Sequence, residues 1–283
     1  VVGDVADRDK VAATLRESGA TAVMHFAAKL SVGGSVVDPF TYYQSNVGGT
    51  LSLLAAMADA GVTRFVFSST CATFGEPEAP TMDEGHRQRP INPYGETKLA
   101  VERALPHVER AAGIRWVALR YFNASGADPD GLIGEDHEPE EHLIPRAIAA
   151  CRTGDPLTVF GDDYDTPDGT CVRDYIHVQD LARAHVLALG GLESGEAYKV
   201  YNLGTETGHS VREVVDVVGR VTGRPVPVQT GPRRPGDPSR LIASAARIRG
   251  ELGFRPLHPG LDGIVETAVR WRVDHPQGYR DPA

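Results

Sequence analysis

Arg64-Phe65-Val66-Phe67-Ser68-Ser69-Thr70 is a short apolar run that closes in three hydroxyl residues. An unbroken run of this length reads as a buried strand of a parallel sheet, with its C-terminal end open to a binding crevice. Upstream, Val23-Met24-His25-Phe26-Ala27-Ala28 repeats the pattern and stops in small residues, which let a flat ligand approach the backbone. Helix and strand patterns alternate around these runs. Helices are predicted over 7–18, 39–60 and 94–112, and strands over 21–27, 64–69 and 115–121. Pro39 stands near the start of the long helix, and Gly61 and Gly113 stand where helices should stop. Such alternation with buried strands implies an α/β fold built on a doubly wound parallel sheet. Past Asn123 the pattern loosens. Strands are predicted over 157–160 and 198–203, and helices over 178–189, 210–222 and 260–273. The segments 75–93 and 127–141 read as loops, the first polar and Pro-rich, the second acidic and Gly-rich.

Tyr94-Gly95-Glu96-Thr97-Lys98 carries the chemistry. On a helix, residues four apart share one face. A free tyrosine has a pKa near ~10 and is a poor base at neutral pH. A lysine cation close by favours the phenolate and lowers that pKa. At about 1.4 kcal/mol per unit, poising the phenol near neutrality asks roughly 4 kcal/mol of its surroundings. The lysines are only Lys10, Lys29, Lys98 and Lys199, against nine tyrosines. A chance Tyr-x-x-x-Lys is therefore expected about 0.1 times, although short motifs do recur by accident. The plain alternative is a surface helix with an amphipathic Tyr and a solvated Lys.

The 283 residues are 41% hydrophobic and 24% charged, enough for one large domain or two smaller ones. A net charge of −9 argues against nonspecific binding to nucleic acid or an anionic membrane. Cys71, Cys151 and Cys171 imply neither a disulfide framework nor a metal site, and suit a reducing cytoplasm. No apolar run approaches the ~20 residues that span a bilayer. The ten histidines show no metal-ligand spacing and read as surface, cap or core residues, with His25 a satisfied core histidine.

Thr70, Tyr94 and Lys98, in that order, resemble the catalytic set of the extended short-chain dehydrogenase/reductases. The resemblance narrows to the UDP-galactose (UDP-glucose) 4-epimerase family on His25-Phe26-Ala27-Ala28, Tyr42-Tyr43-Gln44-Ser45-Asn46-Val47-Gly48-Gly49-Thr50, Phe67-Ser68-Ser69-Thr70-Cys71-Ala72-Thr73-Phe74-Gly75 and Pro93-Tyr94-Gly95-Glu96-Thr97-Lys98. It continues through Arg120-Tyr121-Phe122-Asn123, Phe160-Gly161-Asp162-Asp163-Tyr164, Asp168-Gly169-Thr170, Val172-Arg173-Asp174-Tyr175-Ile176-His177-Val178, Tyr201-Asn202-Leu203-Gly204, Arg233-Arg234-Pro235-Gly236-Asp237 and His275-Pro276-Gln277-Gly278-Tyr279. It implies a Rossmann-like NAD-binding domain over 1–123. It implies a smaller α/β lobe, mainly for the nucleotide sugar, over 124–283, with some late segments returning to the first sheet.

The implied reaction interconverts UDP-galactose and UDP-glucose, by NAD-dependent oxidation to a 4-keto sugar and reduction from the other face. Tyr94 would act as general base and acid, Lys98 would lower its pKa and hold the nicotinamide ribose, and Thr70 would bridge the sugar hydroxyl and Tyr94. The oxidised nicotinamide ring could supply a second positive charge. The resemblance puts Asp4 and Val5 on adenine, Phe26, Ala27 and Ala28 along the pyrophosphate and ribose, and Asn46 and Tyr121 on the cofactor too. It puts Asn123, Leu143, Phe160, Arg173, Arg234 and Asp237 on the nucleotide sugar. Lys29 stands one place before a cofactor-binding lysine of some members, and Leu30 occupies that place. His142 stands where others have Asn, and Leu241 where size gates N-acetylated sugars. A homodimer through the helices over 39–60 and 94–112 is also implied.

The chain departs from the family at its start. No Gly-x-x-Gly-x-x-Gly precedes Asp4, so roughly fifty residues, about one and a half βα units, are expected to be absent. That turn normally brings N–H groups to the pyrophosphate, so weakened NAD binding is the expectation. A 4,6-dehydratase would follow its hydroxyl with Asp-Glu, where this chain has Cys71-Ala72. An epimerase of UDP-N-acetylhexosamines, UDP-pentoses or UDP-uronic acids, and a nucleotide-binding form without turnover, are the remaining alternatives.

Overall fold

A computed structural model describes residues 1–195, 199–234 and 237–280. Four strands form one parallel sheet in the order β1 (Val23–His25), β2 (Arg64–Thr70), β3 (Arg115–Tyr121) and β7 (Val200–Leu203). Alternate side chains leave opposite faces. Phe65, Phe67, Trp116 and Ala118 pack with Leu53, Leu54, Met57, Val101 and Leu105 of α4 (Gly49–Ala60) and α5 (Pro93–Ala112). Val66, Val117 and Leu119 pack with Leu181, Ala184, Ala188 and Leu192 of α7 (Val178–Ser194) on the other face. Burial on both faces is why the β2 run has no polar alternation until its hydroxyl end.

The remaining strands lie in two smaller sheets. In one, β6 (Val172–His177) pairs with β4 (Asn123–Ser125), β8 (Gly208–Ser210) and β10 (Arg240–Leu241). In the other, β5 (Leu157–Phe160) pairs with β9 (Val228–Gly231). They share a core with α6 (Leu143–Thr153), α8 (Val211–Thr222) and α10 (Leu261–Asp274). Ser210 and Glu213 close a capping box on α8, so its start is written in the sequence. β7, late in the chain, pairs with β3 at the edge of the first sheet. Tyr198, the expected first residue of that strand, lies outside the described residues.

Several expectations needed correction. The strand over 21–27 shortens to Val23–His25, and the helix over 39–60 is not uniform. It runs from α3 (Pro39–Tyr42) through a wide π turn over Tyr43–Gly48 into α4. The segments α1 (Arg8–Ser18), α5 and β3 fall where expected. The short α2 (Val32–Val37) and α9 (Ala246–Glu251), together with α6, β4, β6, β8, β9 and β10, went unpredicted. The loop over 75–93 is not wholly superficial. Met82 is fully buried, and its N–H donates to Ile242 O at 2.9 Å.

Candidate active site

Side chains at the C-terminal ends of the sheet strands converge. Thr70 closes β2 and is paired in register with Tyr121, which closes β3. Tyr94 stands in the first turn of α5. Asn92 caps that helix, its side chain accepting from Gly95 N at 2.9 Å, and Pro93 needs no N–H partner there. Gly95 is dictated by space: a Cβ would lie 2.4 Å from Ala72 O. This close approach seats the Tyr94 turn against the end of β2.

Lys98 is 4% exposed, and its Nζ donates to Ser68 O at 2.9 Å. It also lies 5.9 Å from the centre of the Tyr94 ring. Burial lowers its pKa to about 8, against the opposing charge of Glu102. Burial pushes the Tyr94 phenol up to about 12, with the Thr70 hydroxyl working the other way. The expectation that Lys98 lowers the Tyr94 pKa is therefore not met by the protein alone. Desolvation of the phenolate is the largest influence on Tyr94.

Asn46 lies in the π turn, 2% exposed. Its Oδ1 accepts from Lys29 N at 2.8 Å, while its Nδ2 donates to Lys29 O at 3.0 Å and to Thr97 Oγ1 at 3.1 Å. The amide ties the loop after β1 to α5, leaving only spare acceptor capacity on Oδ1. In that loop Phe26 and Ala27 are exposed and Ala28 is half-buried, an open shelf at the strand end. Asp4 accepts from Ala6 N at 2.8 Å within its own turn, and Val5 packs beside Gly49. His185, which the sequence reading passed over, lies between Phe26 and Tyr121, 4.8 and 5.8 Å from their ring centres. Its Nδ1 bonds Leu181 O at 2.8 Å, and its Nε2 is buried without a hydrogen-bond partner. Nothing in a lone helical histidine announces such a place.

Behind the site, Arg120 forms a two-pronged pair with Glu102, Nε to Oε1 at 3.0 Å and Nη2 to Oε2 at 2.6 Å. Both side chains are 5% exposed, and Ser69 and Gln88 also donate to Glu102. His25 meets the expectation of a satisfied core residue, bonded to Thr50 Oγ1 at 2.9 Å with its pKa lowered to about 4 by burial.

A second cluster gathers on the smaller sheets. The Arg234 guanidinium stacks 3.9 Å from the centre of the Phe160 ring. Asp237 N donates to Arg234 O at 3.3 Å, and the Asp237 carboxylate accepts from Arg173, which is 9% exposed. Arg233, by contrast, is engaged by Asp163, with its Nε 2.7 Å from Oδ1. Pro235 and Gly236 of the same motif lie outside the described residues. Leu143 is half-buried at the first position of α6, directly after the exposed His142, and Asn123 opens β4. Arg173 acts electrostatically on the Cys71 thiol, one residue past Thr70, so the two clusters are neighbours. Burial pushes that thiol up to about 12, leaving it protonated and unsuited to replace a catalytic carboxyl. Asp174 is structural: it accepts from Thr205 N and Oγ1 at 2.8 Å, Glu206 N at 3.0 Å and Ala243 N at 3.1 Å.

The free donors beside the open shelf suit a dinucleotide cofactor. One of its three N–H groups is taken by Ser68 O, no other protein acceptor for it occurs among the described residues, and the shelf at Phe26–Ala28 is open. Comparison with known proteins agrees. The NAD dependent epimerase/dehydratase family matches residues 1–204. A UDP-glucose 4-epimerase of Rhizobium meliloti (strain 1021) is 50% identical over 277 residues, covering 98% of this chain and 84% of its own length. The crystal structure of UDP-glucose 4-epimerase from Brucella ovis in complex with NAD is 52% identical, with a TM-score of 0.92, over 95% of this chain and 83% of that one. The Bifidobacterium longum UDP-glucose 4-epimerase in complex with NAD+ and UDP is 37% identical with the same TM-score of 0.92, over 99% and 84% of the two chains.

Proposed function

The chain belongs to the NAD dependent epimerase/dehydratase family, and on that premise we propose that it is an isomerase interconverting UDP-galactose and UDP-glucose through a 4-keto sugar. The observation that carries this reading is the Thr70, Tyr94 and Lys98 set at the end of β2, within a chain similar along nearly its whole length to such epimerases. NAD, when bound, supplies the acceptor and donor for the hydrogen at C4. Tyr94 takes the proton of the 4-hydroxyl at its Oη and later returns it. Thr70 holds that hydroxyl against Tyr94, and Lys98 supplies the cation that favours the phenolate. A pKa of about 12 for Tyr94 with protein groups alone means that further positive charge is needed before the phenol works near neutrality.

Asp4, Val5, Phe26, Ala27, Ala28, Asn46 and Tyr121 face the cofactor in this reading. Asn123 faces the diphosphate, Phe160 lies beside uracil, Arg173, Arg234 and Asp237 hold phosphate and ribose, and Leu143 also touches the nucleotide sugar. Residues 1–123 then serve mainly the cofactor and 124–283 mainly the nucleotide sugar, with β7 crossing back. A second copy packs on the α3 to α5 face. Phe40, Tyr43 and Leu51 support this, being exposed along one helical stripe where solvent contact is unfavourable. Among the described residues no helix is long and apolar enough to cross a membrane, and three free thiols suit the cytoplasm.

The test is proton NMR of UDP-galactose incubated with the purified chain and NAD. UDP-glucose signals should grow to a fixed ratio. Tyr94→Phe should stop the growth while UDP-galactose still binds. Near-normal turnover in that variant, or no product from the unaltered chain, would overturn the reading.

A further inference from the structure

His185, in the middle of α7, is 3% exposed. Its Nδ1 lies 2.8 Å from Leu181 O, one turn back on the same helix. A carbonyl oxygen only accepts, so Nδ1 carries the proton. Burial lowers the pKa of the ring, which is therefore neutral near pH 7, and Nε2 presents a bare lone pair. That nitrogen is sealed from solvent and has no hydrogen-bond partner. Two other buried histidines differ. His25 and His177 each bond a threonine hydroxyl through Nε2, at 2.9 and 3.0 Å. A buried acceptor without a donor is costly, so the gap at His185 calls for a physical cause.

The tautomer also fixes a direction. The two nitrogens point to different sides of the ring, so an Nδ1 turned back on its own helix sends Nε2 away from that helix. The flanking rings are Phe26 and Tyr121, with centres 4.8 and 5.8 Å from that of His185. Phe26 has no donor to offer. It is 59% exposed, on the loop after β1, and free to turn aside from the imidazole. Both rings border the shelf given to NAD in the proposed function, on which the assignment of His185 rests. Whatever meets Nε2 there must be a donor. Phosphate oxygens are acceptors and are repelled by the lone pair, whereas ribose hydroxyls and the carboxamide N–H donate.

We propose that His185 is a further cofactor-binding residue, its Nε2 accepting a hydrogen bond from a hydroxyl or the amide N–H of NAD once Phe26 turns aside. Leu181 O holds the ring in the tautomer that can accept at Nε2, so this position favours the donor-bearing parts of the dinucleotide over its phosphates.

Calorimetric titration with NAD is the test, with ADP-ribose as a second titrant. His185→Leu removes the acceptor and keeps an apolar side chain, so NAD affinity should fall by roughly tenfold, as for one lost hydrogen bond to a buried group. His185→Gln, whose Oε1 accepts at a similar reach, should retain most of the affinity. A fall repeated with ADP-ribose assigns the donor to a hydroxyl, and a fall seen with NAD alone assigns it to the amide. Nitrogen-15 NMR of the unaltered chain adds a reading that needs no variant to fold. The His185 Nε2 signal should move when NAD is added, as a bare ring nitrogen does on accepting a hydrogen bond. A still signal at saturating NAD, equal affinities of the unaltered chain and His185→Leu, or equal losses in the two variants overturns the proposal. An unaltered chain that binds no NAD overturns the functional reading and this proposal with it.

Discussion

Lys98 sits 5.9 Å from the centre of the Tyr94 ring while its Nζ hydrogen-bonds Ser68 O at 2.9 Å. The ammonium is anchored to strand β2, so the distance between cation and phenol is set by how α5 packs on the sheet. Lys98→Met keeps the packing and removes the charge. Turnover should fall by about 10²–10⁴, the span of a general acid–base contribution, with UDP-galactose affinity little changed. Steady-state kinetics beside calorimetric binding separates the two effects. A loss confined to KM would mean that Lys98 only holds the ligand.

Glu102 is the shared acceptor of Arg120, Ser69 and Gln88. Glu102→Gln leaves the Arg120 guanidinium buried and without its counter-charge. Breaking such a pair from one side costs about 3–5 kcal/mol. Urea unfolding should report a loss of that order, and the paired change Glu102→Leu with Arg120→Met should restore much of it.

Two buried histidines contribute to the acid limb of stability, against an opposite contribution from Asp174, which burial raises to about 6. His25 and His177 are 4% and 0% exposed, and burial lowers both pKa values from 6.5 to about 4. Between those values the unfolded chain binds more protons than the folded one, so stability rises with pH across this window. The contribution is complete above pH 6.5 and lost as pH falls toward 4. Each histidine should account for on the order of 3 kcal/mol. Denaturation midpoints from pH 7 to 4.5 should show this slope, and His25→Gln should flatten it.

Phe40 is 86% exposed on the helical stripe with Tyr43 and Leu51. On the proposed packing of a second copy against this face, Phe40→Glu should give a monomer in sedimentation velocity at micromolar concentration where the unaltered chain gives a dimer. An unchanged sedimentation coefficient would place the second copy elsewhere.

The strand run at 64–70, the helix stops at Gly61 and Gly113 and the helix start at Ser210 were legible because their causes are local. Burial on both faces, a left-handed glycine and a side-chain cap each act within a few residues. The gathering of Thr70, Tyr94 and Lys98 was legible for the same reason: it follows from a strand end and from helical spacing. The π turn at Tyr43–Gly48 was not, because its wide turn depends on how the long helix seats Asn46 against Lys29 and Thr97. Nor were β4, β6 and β8, whose short runs become strands only when each finds its neighbour.

Sequence by itself determined the sheet, its open end and the place of Thr70, Tyr94 and Lys98 beside it. Tertiary structure alone decided the direction in which the pKa values of Tyr94 and Lys98 are shifted. It put Tyr94 at about 12 and Lys98 at about 8, the reverse of what a neighbouring cation would do to the phenol. The reason is desolvation, which depends on everything packed around a group and so has no signature in the residues beside it.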